Sequence, residues 1–192
     1  MKRSIAVLFP GIGYTNDRSL LYFAGRLAEK AGFEVIRIRY GGFPADVKGT
    51  REKMEKSFYI ALEQAKEQLK DIEWNACDRI LFISKSIGTI AASAIAGEYG
   101  ISADSVVFTP LEDTFRFLDG NAVVFHGTAD PWADAEVIRK ACTDRGIPVH
   151  TEEGANHSLE TGDVIRNIEI LMRTMTAVKQ FIDDAGHHGP LS

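Results

Sequence analysis

Six short apolar runs rich in β-branched and aromatic residues recur along the chain: Ile5–Phe9, Val35–Ile38, Ile80–Ile83, Val106–Phe108, Ala122–Phe125 and Ile147–His150. Gly, Pro, Asp or Asn lies close to each, the punctuation expected at strand ends. Segments of helical period separate most of them. Leu20, Ala24, Leu27 and Ala31 form one apolar stripe; Met54, Phe58, Ala61, Ala65 and Leu69 form a second; Val164, Ile168, Leu171, Met175, Val178 and Ile182 form a third. Strands that alternate with helices must pair mainly in parallel, because a parallel pair needs a crossover and the crossover is usually a helix. The helices then cover both faces, which predicts an α/β three-layer sandwich around a six-stranded sheet. The unbroken apolar run Ile80-Leu81-Phe82-Ile83 fits a strand buried on both faces.

At 192 residues the chain has length for one such body, read as a single domain over 1–185 with a fraying tail over 186–192. Hydrophobic content of 45% and charged content of 26% exclude a disordered or fibrous chain. The net charge of −5, with no Lys/Arg run longer than two, lacks the footprint of a nucleic-acid partner. Cys77 and Cys142 show no C-x-x-C spacing and read as thiols in a reducing compartment. Ile5–Phe9 is shorter than the roughly 7–15 apolar residues of a secretory signal. Ile87–Gly97 falls short of the roughly 18 needed to span a bilayer. These features predict a cytoplasmic protein with no membrane or nucleic-acid partner, a monomer or a homodimer.

The third strand runs into Ser84-Lys85-Ser86-Ile87-Gly88 and at once into a helix rich in small residues, among them Ala91, Ala92, Ala94 and Gly97. A serine on such a strand-to-helix turn can be held on a strained elbow, with small residues two before and two after making room. Gly88 meets that need fully and Ser84, where Gly is usual, less well. The alternative is an ordinary serine capping a helix. Two later loops bear on the choice: His126-Gly127-Thr128-Ala129-Asp130-Pro131 after the fifth strand, and Gly154-Ala155-Asn156-His157-Ser158 after the sixth. Both follow the carboxyl ends of strands, the edge on which open parallel sheets bind ligands. Ser86, Asp130 and His157 therefore fall on one side of the sheet, in the chain order of the nucleophile-elbow hydrolases. Asp113, after the fourth strand, is the competitor to Asp130, and His126 reads as a structural residue of its turn.

After the first strand, Pro10-Gly11-Ile12-Gly13-Tyr14 lets backbone N–H groups approach a ligand closely; with the Ile87 amide, such a group can bind a developing oxyanion. A dinucleotide fingerprint is the rival reading. It fails because the third Gly position is Asn16 and the second strand leads into Arg37-Ile38-Arg39-Tyr40, with no acid for a ribose. His187 and His188 have no companion ligands, so neither a metal nor a cofactor is predicted. Tyr14, Lys85 and Trp132 are expected near the site as substrate-binding residues, and a cationic Lys85 beside the serine suggests a carboxylated substrate.

Taken together, Ser84–Gly88, His126–Asp130 and Asn156-His157 resemble the α/β-hydrolase superfamily, over nearly the whole chain from Ile5 to about Phe181. The resemblance implies Ser86 as nucleophile, His157 as general base and Asp130 as its partner, with the Ile12 and Ile87 amides as oxyanion hole. It implies the sheet order 2-1-3-4-5-6 and a minimal fold lacking the family's first two strands. The family's lid usually enters where this chain has only Pro110 to Gly120, so an open site of the small carboxylesterase or dienelactone-hydrolase kind is expected. A small-molecule ester or thioester is the implied substrate. A non-catalytic ligand-binding protein of the same fold, or an acyltransferase using the same residues, remains the alternative.

Overall fold

A computed structural model describes residues 3–47 and 50–185; the tail expected over 186–192 lies outside the described residues. Six strands form one sheet: β1 (Arg3–Phe9), β2 (Glu34–Arg37), β3 (Cys77–Lys85), β4 (Asp104–Phe108), β5 (Ala122–Gly127) and β6 (Val149–Glu152). Every neighbouring pair is parallel, and the order is β2-β1-β3-β4-β5-β6, as the resemblance implied. The chain reverses direction across the sheet between β1 and β3, whose following loops therefore diverge at the carboxyl edge.

Alternate residues of the strands feed two separate cores. Ala6, Leu8, Leu81, Ile83, Val106 and Phe125 pack against α1 (Ser19–Lys30) and α5 (Val164–Ala185). On the other face Ile5, Val7, Phe9 and Phe82 pack against α2 (Arg51–Leu69) and α3 (Ile87–Tyr99), while Val107 and Val124 pack against α4 (Ala135–Thr143). The period of two along each strand is what sends neighbouring residues to opposite layers. Local signals set the helix ends: Asp134 accepts hydrogen bonds from the Glu136 and Val137 amides at the start of α4. Gly100, at φ 62°, closes α3 in the left-handed conformation that glycine adopts without penalty.

Two expectations shift. The sixth strand begins at Val149 rather than Ile147, with register Val124↔Val149 to Gly127↔Glu152. Pro148 has no N–H to donate and contributes only its carbonyl, to the Val124 amide at 2.9 Å, while Ile147 turns into the core beside α4. In α5 the buried line is Ile170, Thr174, Val178 and Ile182, and the first members of the expected stripe, Val164 and Ile168, are 71% and 57% exposed. The neighbouring helix α1 has 12 residues against 22 in α5, and it meets α5 around Met175 and Ile182. The opening turns of α5 therefore extend past it. Among the described residues, no helix is long and apolar enough to cross a membrane.

Candidate active site

The site is built on the loops at the carboxyl ends of β1, β3, β4, β5 and β6. Ser86 sits between β3 and α3 with φ 56° and ψ −126°, a backbone conformation that a side chain makes costly and that the surroundings must impose. They impose it by close packing. A Cβ on Gly88 would lie 2.4 Å from the Phe9 carbonyl oxygen, and one on Gly11 would lie 3.1 Å from the Ser86 Cβ. The Ser86 amide donates to the Phe108 carbonyl at 3.1 Å, and Thr89 Oγ1 donates to the Ser86 carbonyl at 2.6 Å. Ser84, in the position where the family pattern has Gly, is accommodated: it is buried and its hydroxyl donates to the Val106 carbonyl at 3.4 Å.

Asp130 and His157 are brought together by the loops after β5 and β6. A Cβ on Gly127 would lie 2.2 Å from the Ala155 carbonyl oxygen, so the two loops touch backbone to backbone. The Ala129 amide donates to the Ala155 carbonyl and the Thr128 amide to the Glu152 carbonyl, both at 3.0 Å. Asp130 Oδ1 accepts from the Trp132 amide at 2.9 Å, which leaves Oδ2 facing His157 Nδ1 at 2.7 Å. His157 Nε2 lies 2.8 Å from Ser86 Oγ. A continuous hydrogen-bonded line thus runs from a buried carboxylate through an imidazole to a half-buried hydroxyl.

Three residues to which the sequence reading gave no role of their own hold this line in place. Gly127 permits the loop contact just described. Thr109 Oγ1 donates to the His157 carbonyl at 3.0 Å, from a backbone at φ 41° that is rare for a β-branched residue. Asn156 Oδ1 accepts from the Ser158 and Glu160 amides at 2.7 and 3.2 Å and shapes the turn that carries His157. A glycine closing a strand that enters a site loop is a readable signal for Gly127; for Thr109 there is none, because its conformation is set by the fold around it.

Burial pushes the His157 imidazole below the ordinary histidine range, and nearby Lys85 pushes the same way. The hydrogen bond to Asp130 opposes both. His157 is therefore held neutral near pH 7, the form that can accept a proton. His126 is likewise lowered by burial; its Nε2 bonds the Ala133 carbonyl at 3.2 Å, the structural role read from its turn. Asp113 is exposed and paired with Arg116 at 3.0 Å, in a 3-10 turn (Glu112–Arg116) away from the His157–Asp130 contact.

The remaining candidates separate. Ile87 is the first residue of α3, so its amide has no acceptor within the helix. Ile12 lies at the tip of a turn closed by Gly11 N–H to Tyr14 O at 3.1 Å, next to Ser86. Trp132 packs its ring 5.7 Å from that of His157. Lys85 does not fit the substrate contact expected of it: its side chain is fully buried, its Nζ lies 5.0 Å over the Tyr14 ring, and burial lowers its amine to about 7. The residue before the elbow points under the loops rather than out of them. Tyr14 is also committed inward, its hydroxyl accepting from the Leu20 amide at 3.1 Å. Among the described residues, no group of three or more His, Cys, Asp or Glu is placed to hold a metal ion.

No family model and no curated protein matches the chain. Solved structures do. Est1E from Butyrivibrio proteoclasticus, solved with ferulic acid bound, is similar over 96% of this chain and 90% of its own, with TM-score 0.69 at 12% identity. An esterase from Pyrococcus furiosus covers 95% and 83%, with TM-score 0.65 at 13% identity. An α/β serine hydrolase without a lid from Xanthomonas campestris covers 96% and 83%, with TM-score 0.64 at 12% identity.

Proposed function

We propose that this chain, which carries a minimal α/β-hydrolase fold, is a serine hydrolase of carboxylic esters or thioesters. The observation that carries the reading is the line Asp130–His157–Ser86, with contacts of 2.7 and 2.8 Å ending on a serine of strained backbone. A serine hydroxyl is a weak nucleophile until a base removes its proton. His157 Nε2 takes the proton as Ser86 Oγ attacks the ester carbonyl, and Asp130 holds the Nδ1–H and stabilises the imidazolium. The carbonyl oxygen becomes an oxyanion that accepts from the Ile12 and Ile87 N–H groups. His157 then gives its proton to the leaving alcohol or thiol, and an acyl group remains on Ser86. Water, deprotonated by the same imidazole, attacks the acyl-enzyme; collapse of the second tetrahedral species releases the carboxylic acid and returns the proton to Ser86.

Access suits small-molecule esters. Residues 109–121, between β4 and β5, carry one 3-10 turn and no helix that could cover the serine. That one similar structure is named an esterase, and that another, Est1E, is seen with ferulic acid bound, agrees in chemical class. Ser86→Ala is expected to abolish hydrolysis of p-nitrophenyl acetate and labelling by a fluorophosphonate probe. Labelling of that variant at the wild-type level would remove Ser86 from the role.

A further inference from the structure

A groove of about 600 Å3 lies between the N-terminal half of α2 and the turn at 112–117. Its inner end is formed by Ile87, the residue after Ser86, and by Trp132, whose ring packs beside His157. Ile90 and Leu111, both buried, form the floor, and Phe58 and Phe117 stack at 6.5 Å and 14° to form the far wall. Phe117 is 43% exposed and Tyr59 is 54% exposed, so the wall presents aromatic surface that the core does not use. An acetyl group alone needs no such space; grooves of this volume suit an organic group of many heavy atoms.

Charge narrows the class of occupant. The rim holds Arg51 and Arg116 against Glu55, Glu112 and Asp113, and Arg116 is already paired with Asp113 at 3.0 Å. Carboxylates outnumber cations there, and Lys85, the cation nearest the serine in sequence, is buried away from the groove mouth. Among the described residues of the rim, the balance of three carboxylates to two cations disfavours a negative charge at the far end of the substrate.

Resting on the serine-hydrolase reading above, we propose that this groove binds an uncharged, apolar arm of the ester, a medium-length alkyl chain or an aromatic ring, and that it selects such esters over acetates and over carboxylated esters. The arm lies along Ile90 and Leu111 and ends against the wall formed by Phe58 and Phe117.

Two homologous series test this on the full chain: p-nitrophenyl esters of straight-chain acids from two to twelve carbons, and acetates of alcohols of the same lengths. In one series kcat/KM is expected to climb about fourfold per methylene up to about eight carbons, the gain that burial of each methylene supplies. The series that climbs identifies the arm as acyl or alcohol. An ω-carboxylated ester of the favoured length is expected to fall at least tenfold below its neutral counterpart. Phe117→Ala, at an exposed ring that the fold does not require, should reduce the ratio of octanoyl to acetyl turnover, or its alcohol equivalent, about tenfold. If the protein is labelled by a fluorophosphonate and cleaves acetates, yet both series decline steadily from two carbons, the groove proposal is overturned and the triad stands. Equal turnover of carboxylated and neutral esters overturns the selection for an uncharged arm. Absence of both labelling and ester cleavage overturns the hydrolase reading and the groove with it.

Discussion

The two flanks of Ser86 are built in opposite ways. On the β5–β6 side the backbone is packed so tightly that a single added carbon at Gly127 would sit 2.2 Å from the Ala155 carbonyl oxygen. On the α2 side the boundary is made of side chains, several of them exposed, around open space of about 600 Å3. The first flank can fix an imidazole to a few tenths of an ångström, because backbone contacts cannot yield without moving whole strands. The second can change shape by rotating one ring. Positioning of the chemistry and choice of substrate are thus assigned to different kinds of structure, and substitutions on the two flanks should fail differently.

The largest effect is expected on the pinned side. Asp130→Asn keeps the shape but favours the wrong imidazole tautomer, and should lower kcat on p-nitrophenyl esters about 10⁴-fold, with little change in thermal midpoint. A loss below tenfold would mean that Asp130 is not the partner that orients His157. Gly127→Ala should reduce both properties together, costing about 3 kcal/mol or more in a urea titration as the loop carrying His157 is displaced. If that variant is as stable as the parent, the backbone contact does not set the geometry.

Lys85 offers a finer test, because it is buried beside the pinned flank without being part of the line. Its Nζ has no hydrogen-bond partner among the described residues, and burial opposes its charge. Its amine titrates at about 7 in the fold and at 10.5 when unperturbed, so the unfolded chain holds more protons between those values. Stability therefore rises with pH across that window, and the cost of the charge is fully present below about 7. Lys85→Met should stabilise the protein by about 1–4 kcal/mol at pH 6–7, by analogy with buried ionic groups replaced by packed apolar ones. The difference should shrink toward pH 10. The same change removes a cation that holds His157 down, so the acid limb of kcat/KM should move to higher pH. A destabilised variant with an unmoved acid limb would show that the amine is a structural partner and not a buried charge.

Periodicity made the layers legible. Runs such as Ile80–Ile83 and the stripe on α1 are read correctly because burial on one or both faces is written in residue spacing. Ser86, Asp130 and His157 were legible as residue types at strand ends, and the parallel topology alone places them on one edge. The elbow could be inferred from Gly88, but not the tolerance of Ser84, which depends on the Val106 carbonyl of the neighbouring strand. Thr109 and the inward course of Lys85 were illegible for the same reason: both depend on which loops come to lie against them. The groove joins residues from positions 51 to 132, and no local pattern announces that α2 and the turn after β4 face each other across it. The opening turns of α5 carry a helical stripe that none of the described residues covers, since a period shows that a helix can be buried and not that a partner reaches it.

The central claim is that Ser86 is the nucleophile. The most direct measurement is intact-mass spectrometry of the wild-type chain after reaction with a fluorophosphonate, followed by peptide mapping of the adduct. The expected result is one phosphonyl group per chain, on Ser86, and its absence when His157 is replaced by alanine. An adduct mapped to any other residue, or none on a folded chain that still cleaves esters, would contradict it.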